Sequence, residues 1–224
     1  MPAGRPAGIV LAVQIMVRAR GVWKRYSRWG DWALAAVDLA AGAGSLTVIV
    51  GGNGSGKSTL LRVLTGAARE TRGRVVRPVG SIGYVPERLP AQLRLTAGQY
   101  LVHMGRLRGL DRRHTEARSA ELLGRLALYP GPDVPIGELS KGNNQKVALA
   151  QAFLAPVRLL ALDEPDSGLD ATAAAELAEL IGQARRAGAA VLISTHDPAW
   201  FRGADAAFEL TAGRLAPLAP DVSR

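Results

Sequence analysis

The feature that most constrains this chain is an apolar, β-branched run, Leu46-Thr47-Val48-Ile49-Val50, that stops at two glycines and opens into Gly51-Gly52-Asn53-Gly54-Ser55-Gly56-Lys57-Ser58-Thr59. With almost no polar alternation, such a strand has to be covered on both faces, as the strands of a parallel α/β sheet are. Leu60-Leu61-Arg62-Val63-Leu64 continues with helical apolar spacing, so the local order is strand, glycine loop, helix. Gly51 to Ser58 fits G-x-x-x-x-G-K-[ST], a match that a chain of this composition would give by chance roughly once in two hundred. The glycines let the backbone curl so that successive N–H groups aim at phosphate oxygens, and the helix adds the positive end of its dipole. Lys57 is then placed to bridge β- and γ-phosphates, and Ser58 to offer its hydroxyl to Mg²⁺.

Two further strand ends carry chemistry. Leu159-Leu160-Ala161-Leu162 leads into Asp163-Glu164, and Val191-Leu192-Ile193-Ser194-Thr195 leads into His196. Open α/β sheets bind ligands at the carboxyl ends of their strands. Asp163 suits Mg²⁺, Glu164 suits orienting or deprotonating an attacking water, and His196 suits contact with a γ-phosphate. His103 and His114 fall in a helical region and carry no such role.

Elsewhere, Val17–Val22 and Ala33–Leu39 read as short strands, Ala190–Ser194 as another, and Val147–Leu154 as a helix. Ala174, Leu177, Leu180, Ile181 and Ala184 mark one helix face. From Leu93 to Leu128 the pattern is helical and rich in Arg and Leu, broken at Gly109 and ended by Pro130, Pro132 and Pro135. The class is therefore α/β with an inserted α-helical lobe.

Composition removes several alternatives. The 224 residues include no Cys, which excludes disulfides, thiolate metal sites and thiol nucleophiles. The longest apolar stretch, Ala7 to Val17, is interrupted by Gln14 and too short to cross about 30 Å of hydrocarbon. Following Arg5, it fits either a short leader peptide or an extension upstream of a start at Met16. The net charge of +9, carried by 24 Arg and 4 Lys, favours anionic partners, and Arg106, Arg108, Arg112, Arg113 and Arg118 in the lobe are its expected focus.

Together these residues resemble the nucleotide-binding subunit of an ATP-binding-cassette (ABC) transporter, from about Val17 to Pro217. The diagnostic element is Leu139-Ser140-Lys141-Gly142-Asn143, similar to the family signature Leu-Ser-Gly-Gly-Gln, while Ser167-Gly168-Leu169-Asp170 resembles the loop that crosses the dimer interface. The resemblance implies a P-loop NTPase core with a mainly parallel sheet, an N-terminal antiparallel β part and the helical lobe. Its expected divisions are an extension at 1–15, a catalytic core at 16–88 and 156–224, and a lobe at 89–155. It implies ATP and Mg²⁺, ATP hydrolysis, a head-to-tail dimer with itself or a homologue, and separate membrane permease subunits, at the inner face of the cell membrane.

Residue by residue, the resemblance adds Gly51, Asn53, Gly54, Ser55, Gly56, Lys57, Ser58 and Thr59 as phosphate-loop contacts. It places Ser140 and Gly142 against the γ-phosphate held by the other subunit, and Asp170 at the interface. Tyr26 matches the aromatic that stacks on adenine, with Trp29 as runner-up. Glu87, in Gly83-Tyr84-Val85-Pro86-Glu87, stands where the family usually has Gln beside Mg²⁺, and Lys141 and Asn143 replace Gly and Gln. Glu87 and Lys141 resemble an exporter-like branch. A soluble ATPase acting on nucleic acid is the alternative, disfavoured because the chain has one cassette and no sustained heptads, so no nucleic-acid partner is expected. A degenerate regulator is disfavoured by the presence of Lys57, Asp163, Glu164 and His196.

Overall fold

The structure is a computed structural model that describes residues 14–89 and 94–218. An antiparallel sheet of three strands comes first in the chain: β1 (Ile15–Lys24), β2 (Leu34–Gly42) and β4 (Arg72–Val76), ordered β2-β1-β4. A second sheet is ordered β5-β6-β7-β3-β8-β9, from β3 (Leu46–Val50), β5 (Ile82–Val85), β6 (Leu159–Asp163), β7 (Ala190–Ser194), β8 (Ala206–Thr211) and β9 (Arg214–Leu218). Its pairings are parallel except for the β8–β9 hairpin. The helices are α1 (Lys57–Thr65), α2 (Ala97–Leu107), α3 (Arg112–Arg125), α4 (Lys141–Ala152) and α5 (Ala171–Arg186).

Every residue of β6 and β7 is buried, and so are the first four of β3, which is why these strands read as unbroken apolar runs. Their side chains alternate between two cores. Ile49, Leu159, Ala161 and Leu192 pack with Leu60, Leu61 and Leu64 of α1 and with Val17, Leu34 and Val37 of the antiparallel sheet. Val48, Leu160, Leu162, Val191 and Ile193 face the opposite way, onto Leu177 and Ile181 of α5, Val147 and Leu149 of α4, and Leu101 and Leu122 of the lobe. The antiparallel sheet and the lobe therefore flank opposite faces of the parallel sheet. Trimming a fully buried leucine such as Leu60 or Leu149 to Ala would cost about 2 to 5 kcal/mol.

In the lobe, Thr96 caps α2 in a reciprocal arrangement with Gln99, Gly109 turns the chain in the left-handed region (φ 73), and Asp111 caps α3. Helix α4 begins at Lys141, six residues before the apolar pattern announces it, because Ser140 accepts from the Asn143 N–H and caps it there. At the N-terminal end, β1 starts at Ile15 and the Gln14 carbonyl accepts from the Ala43 N–H at 2.8 Å, so residues 14 and 15 belong to the antiparallel sheet rather than to an extension. Residues 1–13, on which the leader reading rests, lie outside the described residues. Among the described residues no helix is long and apolar enough to cross a membrane.

Candidate functional site

Parallel register assembles the site. Ile49 pairs with Ser194 across β3–β7 and Asp163 pairs with Ser194 across β6–β7, which sets the glycine loop, the Asp163-Glu164 pair and His196 along one sheet edge. Between them lies a cleft of about 450 Å³, lined by Ala33, residues 52–59, Glu87, Asp163, Glu164, Ser167 and His196.

The glycine loop is dictated by close backbone approach. At Gly51 a Cβ would stand 2.2 Å from the Leu210 carbonyl oxygen, and at Gly56 (φ 110) it would stand 2.4 Å from that of Ala33. No other residue fits either position. Lys57 is 8% exposed, and its Nζ donates to the Gly51 carbonyl at 2.7 Å and to that of Gly52 at 3.4 Å. The same ammonium lies 3.3 Å from His196 Nε2 and 3.6 Å from Glu164 Oε1.

Glu164 adopts a left-handed backbone (φ 47), uncommon outside glycine, and its N–H donates to the Ser194 carbonyl at 3.0 Å. Its Oε1 is 3.1 Å from His196 Nε2 yet aligned with no hydrogen-bond donor among the described residues. Burial pushes the Glu164 carboxyl above the ordinary carboxylate value, while the charges of His196 and Lys57 pull it back. A carboxyl so raised and positioned is suited to accept a proton from water.

Asp163 is buried. One oxygen accepts from Ser194 Oγ at 2.5 Å; the other, and the buried Ser55 Oγ, have no hydrogen-bond partner among the described residues. Unpaired buried oxygens are costly, and their position at the floor of a phosphate cradle fits a nucleotide with a divalent cation. Ser58 and Asp163 would hold the cation, with Glu87 at the rim. Bound there, Mg²⁺ would neutralise phosphate charge.

The other candidate residues fall in three places. Tyr26 is not among the residues lining the cleft; it is 62% exposed, its hydroxyl lies 3.2 Å from Thr59 Oγ1, and Lys24 Nζ sits over its ring. Trp29 is almost fully exposed and packs only under Arg28 among the aromatic contacts of the described residues. Ser140, Gly142 and Asp170 do not line this chain's cleft: Ser140 caps α4, Gly142 packs on Gly168, and Asp170 caps α5 while pairing with Lys146 at 2.6 Å. Asn143 accepts from the Tyr129 N–H at 3.3 Å, which ties the start of α4 to the lobe.

Of the five lobe arginines expected to focus the positive charge, Arg106 and Arg113 stand exposed and the other three have partners. In the lobe Arg112 pairs with Glu116, Arg118 with Glu121, and half-buried Arg108 donates to the Ala152 carbonyl at 3.5 Å. Like charges also meet on the antiparallel sheet, where Arg20 lies opposite Arg74 and Trp32 is flanked by Arg25 and Arg72.

Sequence reasoning missed Ser194, Gln145 and Asn144, and placed Ser167 at the dimer interface without its position in this chain's own cleft. Gln145 is 2% exposed and donates to the carbonyls of Glu164 and Pro165, at 3.5 and 3.3 Å, and Asn144 accepts from the Leu89 N–H at 3.3 Å. A polar residue ending a fully apolar strand was the available signal for Ser194.

A glycine cradle between strand and helix, an acidic pair and a histidine on neighbouring parallel strands define a P-loop nucleotide-binding cassette. Residues 34–167 match the family described as ABC transporter, and the chain belongs to that family. It binds and hydrolyses ATP with Mg²⁺ and works with membrane subunits. It is 42% identical to the zinc import ATP-binding protein ZnuC of Cereibacter sphaeroides over 174 residues, 76% of this chain and 69% of that one. With the ZnuC of Alkalilimnicola ehrlichii it shares 40% over 190 residues, 83% of this chain and 70% of that one. The ATP-binding subunit of an ABC transporter superposes with a TM-score of 0.80 at 27% identity, covering 91% of this chain and 90% of the other. The dimeric cassette MJ0796 bound to ADP and Pi gives 0.81 at 23%, covering 91% and 99%.

Proposed function

We propose that this chain powers import of a divalent metal ion, with Zn²⁺ the first cargo to test, through a separate permease in the membrane at whose inner face it sits. The observation that carries this reading is the likeness, at 36% to 42% identity, to zinc import subunits of three bacteria, Cereibacter sphaeroides, Alkalilimnicola ehrlichii and Magnetococcus marinus. Two copies close head to tail, each presenting Ser140 and Gly142 to the other's cleft. Lys57 and the loop N–H groups hold the phosphates, and Tyr26 stacks on adenine. Glu164 draws the proton from water, and His196 contacts the γ-phosphate. The core at 16–88 and 156–224, with residues 14 and 15 joined to it, carries this chemistry, and the lobe at 89–155 meets the permease.

Reconstitution with a candidate zinc permease tests the reading. Zinc should enter proteoliposomes from the face opposite the ATPase, and Glu164→Gln should stop it. Movement in the other direction would favour the exporter-like branch that Glu87 and Lys141 resemble. An ATPase rate indifferent to the permease would remove the coupling.

A further inference from the structure

The segment between Glu164 and α5 is held almost residue by residue, and most of the hold comes from one face of α4. Gln145 donates to the carbonyls of Glu164 and Pro165. Gly142 packs so closely on Gly168 that a Cβ would stand 2.2 Å from its carbonyl oxygen. Lys146 pairs with Asp170. Within this grip Lys141 makes a distinct contact: its Nζ donates to Ser167 Oγ at 2.6 Å, and Ser167 lines the nucleotide cleft three residues beyond Glu164. The Ser167 N–H in turn donates to the Glu164 carbonyl at 3.2 Å, so the ammonium is two hydrogen bonds from the backbone of the residue assigned as base.

Glu164 needs such support. Its left-handed backbone is disfavoured for a side chain with a Cβ and persists only where the surroundings over-determine it. We infer that Lys141 is a positioning residue: its ammonium, through Ser167, holds the turn after β6 so that the Glu164 carboxylate stays in the cleft beside Lys57 and His196. The inference rests on the role proposed for Glu164. A glycine at 141 could make no side-chain contact, so the tie is a property of this chain's own signature segment.

The test uses Lys141→Met, which keeps the length of the side chain and loses the donor, Ser167→Ala, their double variant, and Lys141→Arg. A charge-assisted bond on an exposed ammonium should be worth about threefold to tenfold in rate. Lys141→Met should therefore lower kcat by about that factor while leaving the KM for ATP and the affinity for a fluorescent ATP analogue within about twofold. Ser167→Ala should do the same, the double variant should be no slower than either single one, and Lys141→Arg should restore most of the rate. Independent multiplication of the two effects, or a loss that lies in KM, would overturn the inference.

Amide hydrogen exchange in the nucleotide-free chain separates this tie from the ATPase assignment. Residues 164–168 should exchange several-fold faster in Lys141→Met and in Ser167→Ala, with no further rise in the double variant. Unchanged exchange would overturn the inference even if turnover fell. A turnover unaffected by Glu164→Gln, with exchange altered as expected, would instead overturn the role of Glu164 and leave the tie standing as a structural contact only.

Discussion

Ser194→Ala isolates the bond that prepares the acidic pair. Ser194 is fully buried and Asp163 is 1% exposed, so water cannot replace the lost hydroxyl. The bond is short, 2.5 Å, and runs from a neutral donor to a carboxylate whose other oxygen has no partner among the described residues. A hydrogen bond to a charged group in such surroundings contributes about 1.5 to 3 kcal/mol, and its removal leaves the carboxylate without either. For a chain of this size that corresponds to a fall in Tm of roughly 3 to 12 °C. Denaturant unfolding of the nucleotide-free protein measures it. In an Asp163→Asn background the same serine substitution should cost only about 0.5 to 1.5 kcal/mol, because the acceptor is then neutral. A loss below about 0.5 kcal/mol in the parent, or an equal loss in both backgrounds, would refute the reasoning.

Glu164→Gln should reduce turnover by about two to four orders of magnitude while ATP still binds, and it should accumulate as an ATP-bound dimer on size-exclusion chromatography. Because burial raises the Glu164 carboxyl, turnover in the parent should fall with acid at a pH above the ordinary glutamate value of 4.5. The folded chain then keeps that proton to higher pH than the unfolded chain, so this group's contribution lowers stability as pH rises from 4.5 through the raised value, a decline that unfolding of Glu164→Gln at several pH values should lack. Lys57→Ala should weaken binding of a fluorescent ATP analogue by tenfold or more, since it deletes the cation that the loop folds around; unchanged affinity would contradict the phosphate cradle. A chain beginning at Met16 should lose about 1 kcal/mol relative to one beginning at Gln14, through the missing bond to the Ala43 N–H, without change in ATPase rate.

What the amino-acid order makes legible follows from what is local. Strands β3, β6 and β7 announce themselves because burial on both faces leaves only apolar residues, and the phosphate cradle because its parts are contiguous. Strand β4 does not, since Arg72-Gly73-Arg74-Val75-Val76 turns only Val75 inward and exists by pairing with the edge of β1. The β8–β9 hairpin turns on Ala212-Gly213, both left-handed, where Asn-Gly would have signalled the turn. The site divides along the same line. Lys57, Asp163 and His196 are readable because each closes a strand or opens a helix, whereas Ser194 matters only through the β6–β7 register, and Gln145, Lys141 and Ser167 only through the packing of α4 against the turn after β6. Asn143 shows the reverse case: its departure from the family glutamine suggests altered chemistry at the γ-phosphate, yet its side chain is engaged with the lobe backbone at Tyr129. Its substitution should therefore disturb how α4 meets the lobe before it disturbs nucleotide binding in this chain's own cleft.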